Sequence, residues 1–306
     1  MPSLATEDVE GFLRQHVGNV EAIEAVGHGE WSRAYFFRQG GRDLVVRFSA
    51  TDDDFLKDQR AHDLARGRLP IPRLIEVGEA PGGYYAISER AGGTFLEERD
   101  AASMQAVLPS LLTTLDLVRD IDITTTHGFG MWQGSDGRAP YSTWREALLR
   151  VASSPRIAGW QVALRESAES QRTFDLAFAR LERLVDACPD VRHLVHSDML
   201  NFNVLVQHHE ITAMLDWGSS MYGDFVWDLA WFTVWQPWYT AWSTLDIRQA
   251  ARAHYAAIGL EVPNFDERLR CCELAIGMDG LAYQAWVRRE PENLAWTTRR
   301  LQSLIE

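Results

Sequence analysis

The sequence predicts an α+β chain in two lobes, a small β-rich N-terminal lobe over residues 1–90 and a larger, mainly helical C-terminal lobe over residues 91–306. Three observations carry this. Short β-branched and aromatic runs around turn glycines fill the first 90 residues, with one helical insertion. Past Ala91-Gly92-Gly93 the apolar residues recur at helical spacing over long stretches. A length of 306 residues suits about two units at ~150 residues each.

In chain order, Thr6 to His16 reads as a short helix. A strand-like pattern runs from Ala22 to Phe48, in which Ala34-Tyr35-Phe36-Phe37 and Leu44-Val45-Val46-Arg47-Phe48 flank a Gly40-Gly41 turn and predict a hairpin. Asp54 to Gly67 is helical in pattern and is stopped by Leu69-Pro70-Ile71-Pro72. Arg73 to Val77 and Tyr84 to Ser88 are the next strands. Helices are expected at Ala102 to Ile121, Thr143 to Ala152 and Ser170 to Ala187, then β-like segments at Leu194 to Val206 and Ile211 to Leu215, then helices to the end.

Composition bounds the function. With 46% hydrophobic and 24% charged residues the chain has material for a full core and is neither disordered nor collagen-like. A net charge of −13 repels nucleic acid and anionic membranes and attracts cationic small molecules. Cys188, Cys271 and Cys272 form no metal-binding spacing and no disulfide framework. The N-terminus lacks the basic and apolar regions of a signal peptide, and the most apolar window, Phe225 to Trp242, is interrupted by Asp228, Gln236 and Pro237. A cytoplasmic protein, monomeric and with no nucleic-acid or membrane partner, is the expectation.

The chemistry is concentrated in His196-Ser197-Asp198-Met199-Leu200-Asn201-Phe202-Asn203, which fits H-x-D-x-x-x-x-N, and in Asp216-Trp217-Gly218, whose Asp lies eighteen residues beyond Asp198. In kinase-type phosphoryl transfer one Asp orients the acceptor hydroxyl and accepts its proton. An Asn five residues later and a second Asp hold Mg²⁺ against the nucleotide phosphates. Asp198 is therefore the candidate catalytic residue, and Asn203 and Asp216 the candidate metal ligands. Gly27-His28-Gly29-Glu30-Trp31-Ser32 is a G-x-G-x-x-S turn, so Gly27, Gly29 and Ser32 are candidates to cover ATP phosphates. No G-x-x-x-x-G-K-[ST] segment occurs, which excludes a P-loop enzyme. Arg47 occupies the strand position where a kinase carries its phosphate-binding lysine, Asp58 is placed to pair with it, and Lys57 is a second candidate cation. Ser88, Glu89 and Arg90 occupy the expected hinge, where backbone groups could bind adenine. The spacing of His193, His196 and Asp198 is poor for a zinc site. Trp227, Trp231 and Trp235 share a helical face, and Gln236-Pro237 then breaks the helix, displacing Trp238 from it. Trp235 and Trp238 are accordingly expected to form an aromatic wall for a substrate.

The chain resembles the aminoglycoside phosphotransferase family over nearly its whole length. The resemblance is carried by Gly41-Arg42 through Arg47, Leu69-Pro70-Ile71-Pro72, Thr126-His127-Gly128-Phe129-Gly130, Thr143-Trp144-Arg145, Cys188 through His196, Ile211 through Trp217, Gly223-Asp224 and Trp235-Gln236-Pro237-Trp238. It implies a bilobal, protein-kinase-like fold and transfer of the ATP γ-phosphate to an antibiotic hydroxyl. The branch acting on hygromycin B is the nearest in pattern. Two departures stand out: the family's usual H-G-D is here His196-Ser197-Asp198, and its strand lysine is Arg47. The resemblance also implies that Asp228, in Gly223-Asp224-Phe225-Val226-Trp227-Asp228-Leu229-Ala230, braces the catalytic loop through hydrogen bonds. The alternatives are a kinase of another cationic antibiotic or small metabolite, such as a cyclic peptide antibiotic, a macrolide or choline, and a non-catalytic nucleotide-binding pseudokinase.

Overall fold

The computed structural model describes residues 6–26, 32–153 and 159–306. Gly27 and Gly29 of the candidate phosphate-covering turn lie outside them. Helix α1 (Thr6–Val17) is followed by β1 (Glu21–Val26), β2 (Arg33–Gln39), β3 (Arg42–Ser49), helix α2 (Asp53–Ala65), β4 (Leu74–Ala80) and β5 (Gly83–Glu89). The five strands form one antiparallel sheet in the order β1-β2-β3-β5-β4. Residue alternation gives this sheet two different faces. Tyr35, Phe37, Leu44, Val46, Phe48, Tyr85 and Ile87 point to one side and pack with Val9 and Leu13 of α1. Arg47 and Ala86 take the other side, where α2 contributes Phe55.

The chain then crosses into the helical part. A two-residue strand β6 (Thr94–Phe95) pairs with residues Leu205 and Val206 of that part, and a single 3₁₀ turn (Leu96–Glu98) leads to α3 (Ala101–Arg119). Asp100 caps α3 by accepting from the Ser103 amide at 2.8 Å. By length and composition α3 could cross a membrane, yet Met104, Val107, Leu108, Leu111, Leu112, Leu115 and Val118 bury its apolar face in the core. There follow β7 (Gly130–Met131), α4 (Trp144–Leu149), α5 (Trp160–Leu164), α6 (Ala168–Leu184), β8 (His193–Val195), β9 (Val204–Gln207), β10 (Glu210–Met214), β11 (Met221–Gly223), α7 (Val226–Trp235), α8 (Ile247–Ala257), α9 (Phe265–Tyr283) and α10 (Pro291–Ile305). Helices α6, α7, α9 and α10 pack on one another around the larger core.

Most boundaries shift by one to three residues from the sequence reading, and three differences carry a physical reason. Helix α6 begins two residues earlier than Ser170, because Ser167 supplies the cap by accepting from the Ser170 amide. The last turns of the helices expected at Thr143 to Ala152 and Ser170 to Ala187 tighten to 3₁₀ geometry. The β-like run from Leu194 to Val206 is two strands in two different sheets, β8 beside β11 and β9 beside β10. The loop between them carries the polar residues of the candidate site.

Candidate active site

The loop of residues 196–203 is built on a scaffold of buried hydrogen bonds. Asp228 on α7 accepts the amides of His196 at 2.9 Å and Ser197 at 2.7 Å, as the family resemblance implied. Burial pushes the Asp228 carboxyl up to about 6, with these two amides opposing the shift. The His196 ring donates from Nε2 to the Leu215 carbonyl at 2.9 Å and accepts the Asp198 amide on Nδ1 at 3.3 Å. Burial lowers its pKa to about 4, so the ring is neutral and this pattern places the proton on Nε2. Ser197 has φ of +66°, a conformation that glycine adopts without strain. The serine is compensated there: its Oγ accepts the Trp227 indole N–H at 2.9 Å.

Asp198 follows with Asn201 Nδ2 donating to its Oδ1 at 2.7 Å and Asn203 Nδ2 donating to its carbonyl at 2.9 Å. Asn203 starts the β9–β10 hairpin, and its own carbonyl accepts the Leu215 amide at 2.8 Å. That bond extends the ladder by one step and brings Asp216 beside Asn203. Asp216 itself is left-handed (φ 55°, ψ 77°) and accepts the Gly218 amide at 3.3 Å. The sequence-predicted trio Asp198, Asn203 and Asp216 thus converges at one end of the hairpin. Asn203 and Asp216 offer hard oxygen donors of the type Mg²⁺ prefers, so the donor chemistry fits that ion.

Helix α2 clamps this hairpin end to the N-terminal sheet. Asp58 Oδ1 accepts the Trp217 amide at 2.8 Å, while Oδ2 forms a close ion pair with Arg47. Burial works against the Arg47 charge, but Asp58, Asp216 and Asp54 outweigh it and hold the guanidinium pKa above its ordinary value. Gly218 lies so near α2 that a Cβ there would meet Asp54 Oδ1 at 2.6 Å. Lys57, only 3% exposed, donates to the Gly218 carbonyl at 2.7 Å and lies 3.5 Å from Asp53. Of the two candidate cations, Arg47 is the one that feels the charge of Asp216, and Lys57 braces the Asp-Trp-Gly turn through the Gly218 carbonyl. Ser32 sits half-buried just before β2.

At the end of β5, Ser88 lies within the sheet opposite Val45 and Leu74. The amides of Glu89 and Arg90 donate to Arg73 O and Asp43 O, both at 3.1 Å, and the Arg90 guanidinium covers Phe36. Those two amides are committed to the fold.

The two candidate wall tryptophans separate. Trp235 stacks on Trp296 of α10 at 6.1 Å, and α9 admits it only through Gly280, where a Cβ would come within 2.5 Å of the ring. Trp238, on the 3₁₀ turn after α7, is 40% exposed and meets Trp296 edge-on at 4.7 Å. Trp296 escaped the sequence reading because α10 carries no spacing that ties it to α7. Glu97 and Tyr239 were missed for the same reason. The Glu97 carboxylate accepts the Phe202 amide at 2.8 Å, and the Tyr239 hydroxyl is pushed up by burial and by the charges of Glu97 and Asp198.

A small antiparallel sheet over a helical lobe, with a loop Asp, an Asn and a second Asp gathered at the junction, defines a protein-kinase-like phosphotransferase. The phosphotransferase enzyme family profile matches residues 22–265, and the chain belongs to that family. It is similar to Hygromycin-B 4-O-kinase of Escherichia coli, with 33% identity covering 99% of this chain and 86% of the relative. It is also similar to the crystal structure of aminoglycoside phosphotransferase APH(4)-Ia, with TM-score 0.85, 31% identity and 98% of both chains covered. A thermostable mutant of APH(4)-Ia, solved as a ternary complex with AMP-PNP and hygromycin B, gives TM-score 0.84 at 32% identity over 97% of each chain.

Proposed function

We propose that the chain is an ATP- and Mg²⁺-dependent aminoglycoside kinase that phosphorylates a hydroxyl of hygromycin B, the 4-hydroxyl by analogy with the named relative. The observation that carries the reading is the convergence of Asp198, Asn203 and Asp216 on one hairpin end, where the Asp216 charge acts on Arg47. Residues 1–90 bind the nucleotide. Ser32 and the Gly27–Gly29 turn cover the phosphates, and Arg47, oriented by Asp58, contacts them. At the hinge, Glu89 and Arg90 offer carbonyls to adenine and Ala91 the next amide, while Ser88 anchors the segment in the sheet. Residues 91–306 supply catalysis and substrate binding.

Asp198 orients the antibiotic hydroxyl and accepts its proton as the oxygen attacks the γ-phosphorus; the new O–P bond forms as the bond to ADP breaks. Asn203 and Asp216 would hold Mg²⁺, which when bound neutralises phosphate charge. Asn201 fixes the Asp198 carboxylate, and Trp238 presents an aromatic face to the sugar rings and ammonium groups of the substrate. The acidic surface favours that polycation over nucleic acid or anionic membrane, and the protein acts in the cytoplasm as a monomer.

The test is incubation with hygromycin B, ATP and Mg²⁺, product mass by mass spectrometry and the phosphorylated position by NMR. Transfer to one hydroxyl is expected, and Asp198→Asn should lower kcat by ~10²–10⁴-fold while nucleotide affinity is kept. Nucleotide binding without transfer to hygromycin B or to any of a panel of aminoglycosides, macrolides and choline would identify a pseudokinase.

A further inference from the structure

We propose that Glu97 is a positioning residue of the transfer reaction, reaching from the segment between the lobes to hold residues 201–202 in the turn that presents Asp198. The proposal rests on the phosphoryl-transfer reading above. Asn201 and Phe202 are consecutive non-glycine residues, both at φ +66°. Side chains disfavour that conformation, and two in succession need an external restraint. Successive amides near a left-handed turn form a concavity that binds an anion. The Glu97 carboxylate occupies it: Oε1 accepts the Phe202 amide at 2.8 Å, and the neighbouring Asn201 amide favours the charged form of the same carboxylate. Its other oxygen, Oε2, is buried with no hydrogen-bond partner among the described residues.

The base of this strut is rigid. Leu96 is fully buried, β6 pairs with β9, and Arg99 Nη2 donates to the Val206 carbonyl at 2.8 Å. The same segment anchors the aromatic corner of the site. The Trp242 indole donates to the Arg99 carbonyl at 2.8 Å and stacks on Tyr239 at 4.6 Å, and the Tyr239 hydroxyl feels the charges of both Glu97 and Asp198. The Glu97 segment is thus joined to the loop on one side and to Trp242 and Tyr239 on the other. Burial raises the Glu97 pKa against the pull of the Phe202, Glu97 and Asn201 amides.

Reach and charge are separable by substitution. Glu97→Gln keeps the length and an acceptor oxygen, Glu97→Asp keeps the charge but falls one methylene short, and Glu97→Ala removes both. Kinetics with ATP and hygromycin B should show kcat per folded enzyme falling ~10–10²-fold in the Asp and Ala variants, several-fold less in the Gln variant. The KM for ATP should stay close to wild type in all three. Hydrogen–deuterium exchange without substrate should show faster exchange of the 199–203 amides in the Asp variant than in wild type or the Gln variant. Wild-type kcat and exchange in the Asp variant would overturn the proposal. So would a Gln variant as impaired as Ala, or a raised KM for hygromycin B at unchanged kcat, which would make Glu97 a substrate-binding charge. Should Ala not fold, the Asp-against-Gln comparison decides. Should wild type not act on hygromycin B, the exchange arm decides by itself and the substrate reading alone fails.

Discussion

Replacing Asp228 with Asn separates charge from geometry at the foot of the catalytic loop. The carboxylate is 3% exposed and accepts two buried amides, at 2.9 and 2.7 Å. Asn keeps one acceptor oxygen and leaves the other amide facing an NH₂ group, at a cost of ~1–3 kcal/mol. In the opposite direction, a carboxyl raised from 3.8 to about 6 in the fold carries up to ~3 kcal/mol of penalty when ionised. Near pH 7.5 the two effects nearly offset. The folded pKa lies above the unfolded one, so the wild type gains stability as pH falls through about 6 towards 4, and this gain is absent above that window. Asn has no such gain. The stability of wild type relative to Asp228→Asn should therefore grow by up to ~3 kcal/mol from pH 7.5 to pH 4, or ~4–5 °C in Tm for a chain of this size. His196 titrates with the opposite sign, since its folded pKa of about 4 lies below the unfolded value and stability is lost as pH falls. It is present in both chains and cancels to first order, so the difference between the two melting curves is the quantity to measure. A difference that is flat across that range would refute the assignment of Asp228 as a desolvated carboxylate, and unchanged kcat in the Asn variant would refute its role as a brace.

Three other outcomes are expected. Arg47→Ala should raise the KM for ATP far more than that for the antibiotic, whereas Lys57→Ala should lower Tm without that KM split because it orphans the Gly218 carbonyl; steady-state kinetics beside melting curves would show whether the roles are reversed. Asp216→Ala should abolish the Mg²⁺ dependence of nucleotide binding, read by titration calorimetry with MgATP against ATP plus chelator, and an identical response in both proteins would remove Asp216 as a ligand. Trp238→Ala should raise the KM for hygromycin B with Tm kept, while Trp235→Ala, wedged between Trp296 and Gly280, should cost up to ~3–5 kcal/mol in urea unfolding.

The sequence determined what is local. Strand alternation put Arg47 on the face opposite Val46 and Phe48, towards α2, where Asp58 is one helical turn into reach. The short hairpin after Asn203 obliged Asn203 and Asp216 to meet, because antiparallel pairing joins residues on either side of a tight turn. Spacing alone therefore placed Asp198, Asn203 and Asp216 in one group. What crosses the chain at long range left no periodic trace. Lys57 reads equally well as a phosphate contact until the fold sets it against the Gly218 carbonyl, 161 residues away. Trp235 and Trp238 look alike until α9 and α10 enclose the first and leave the second exposed. Ser197 reads as a misfit in its motif until Trp227 on α7 donates to its hydroxyl. Glu97 is one acidic residue among many until its carboxylate meets the amides of a left-handed turn more than a hundred positions later. Periodicity and turn chemistry act over a few residues and are written in the order of side chains; which buried polar group finds which partner is fixed only when the two lobes and their helices close around it.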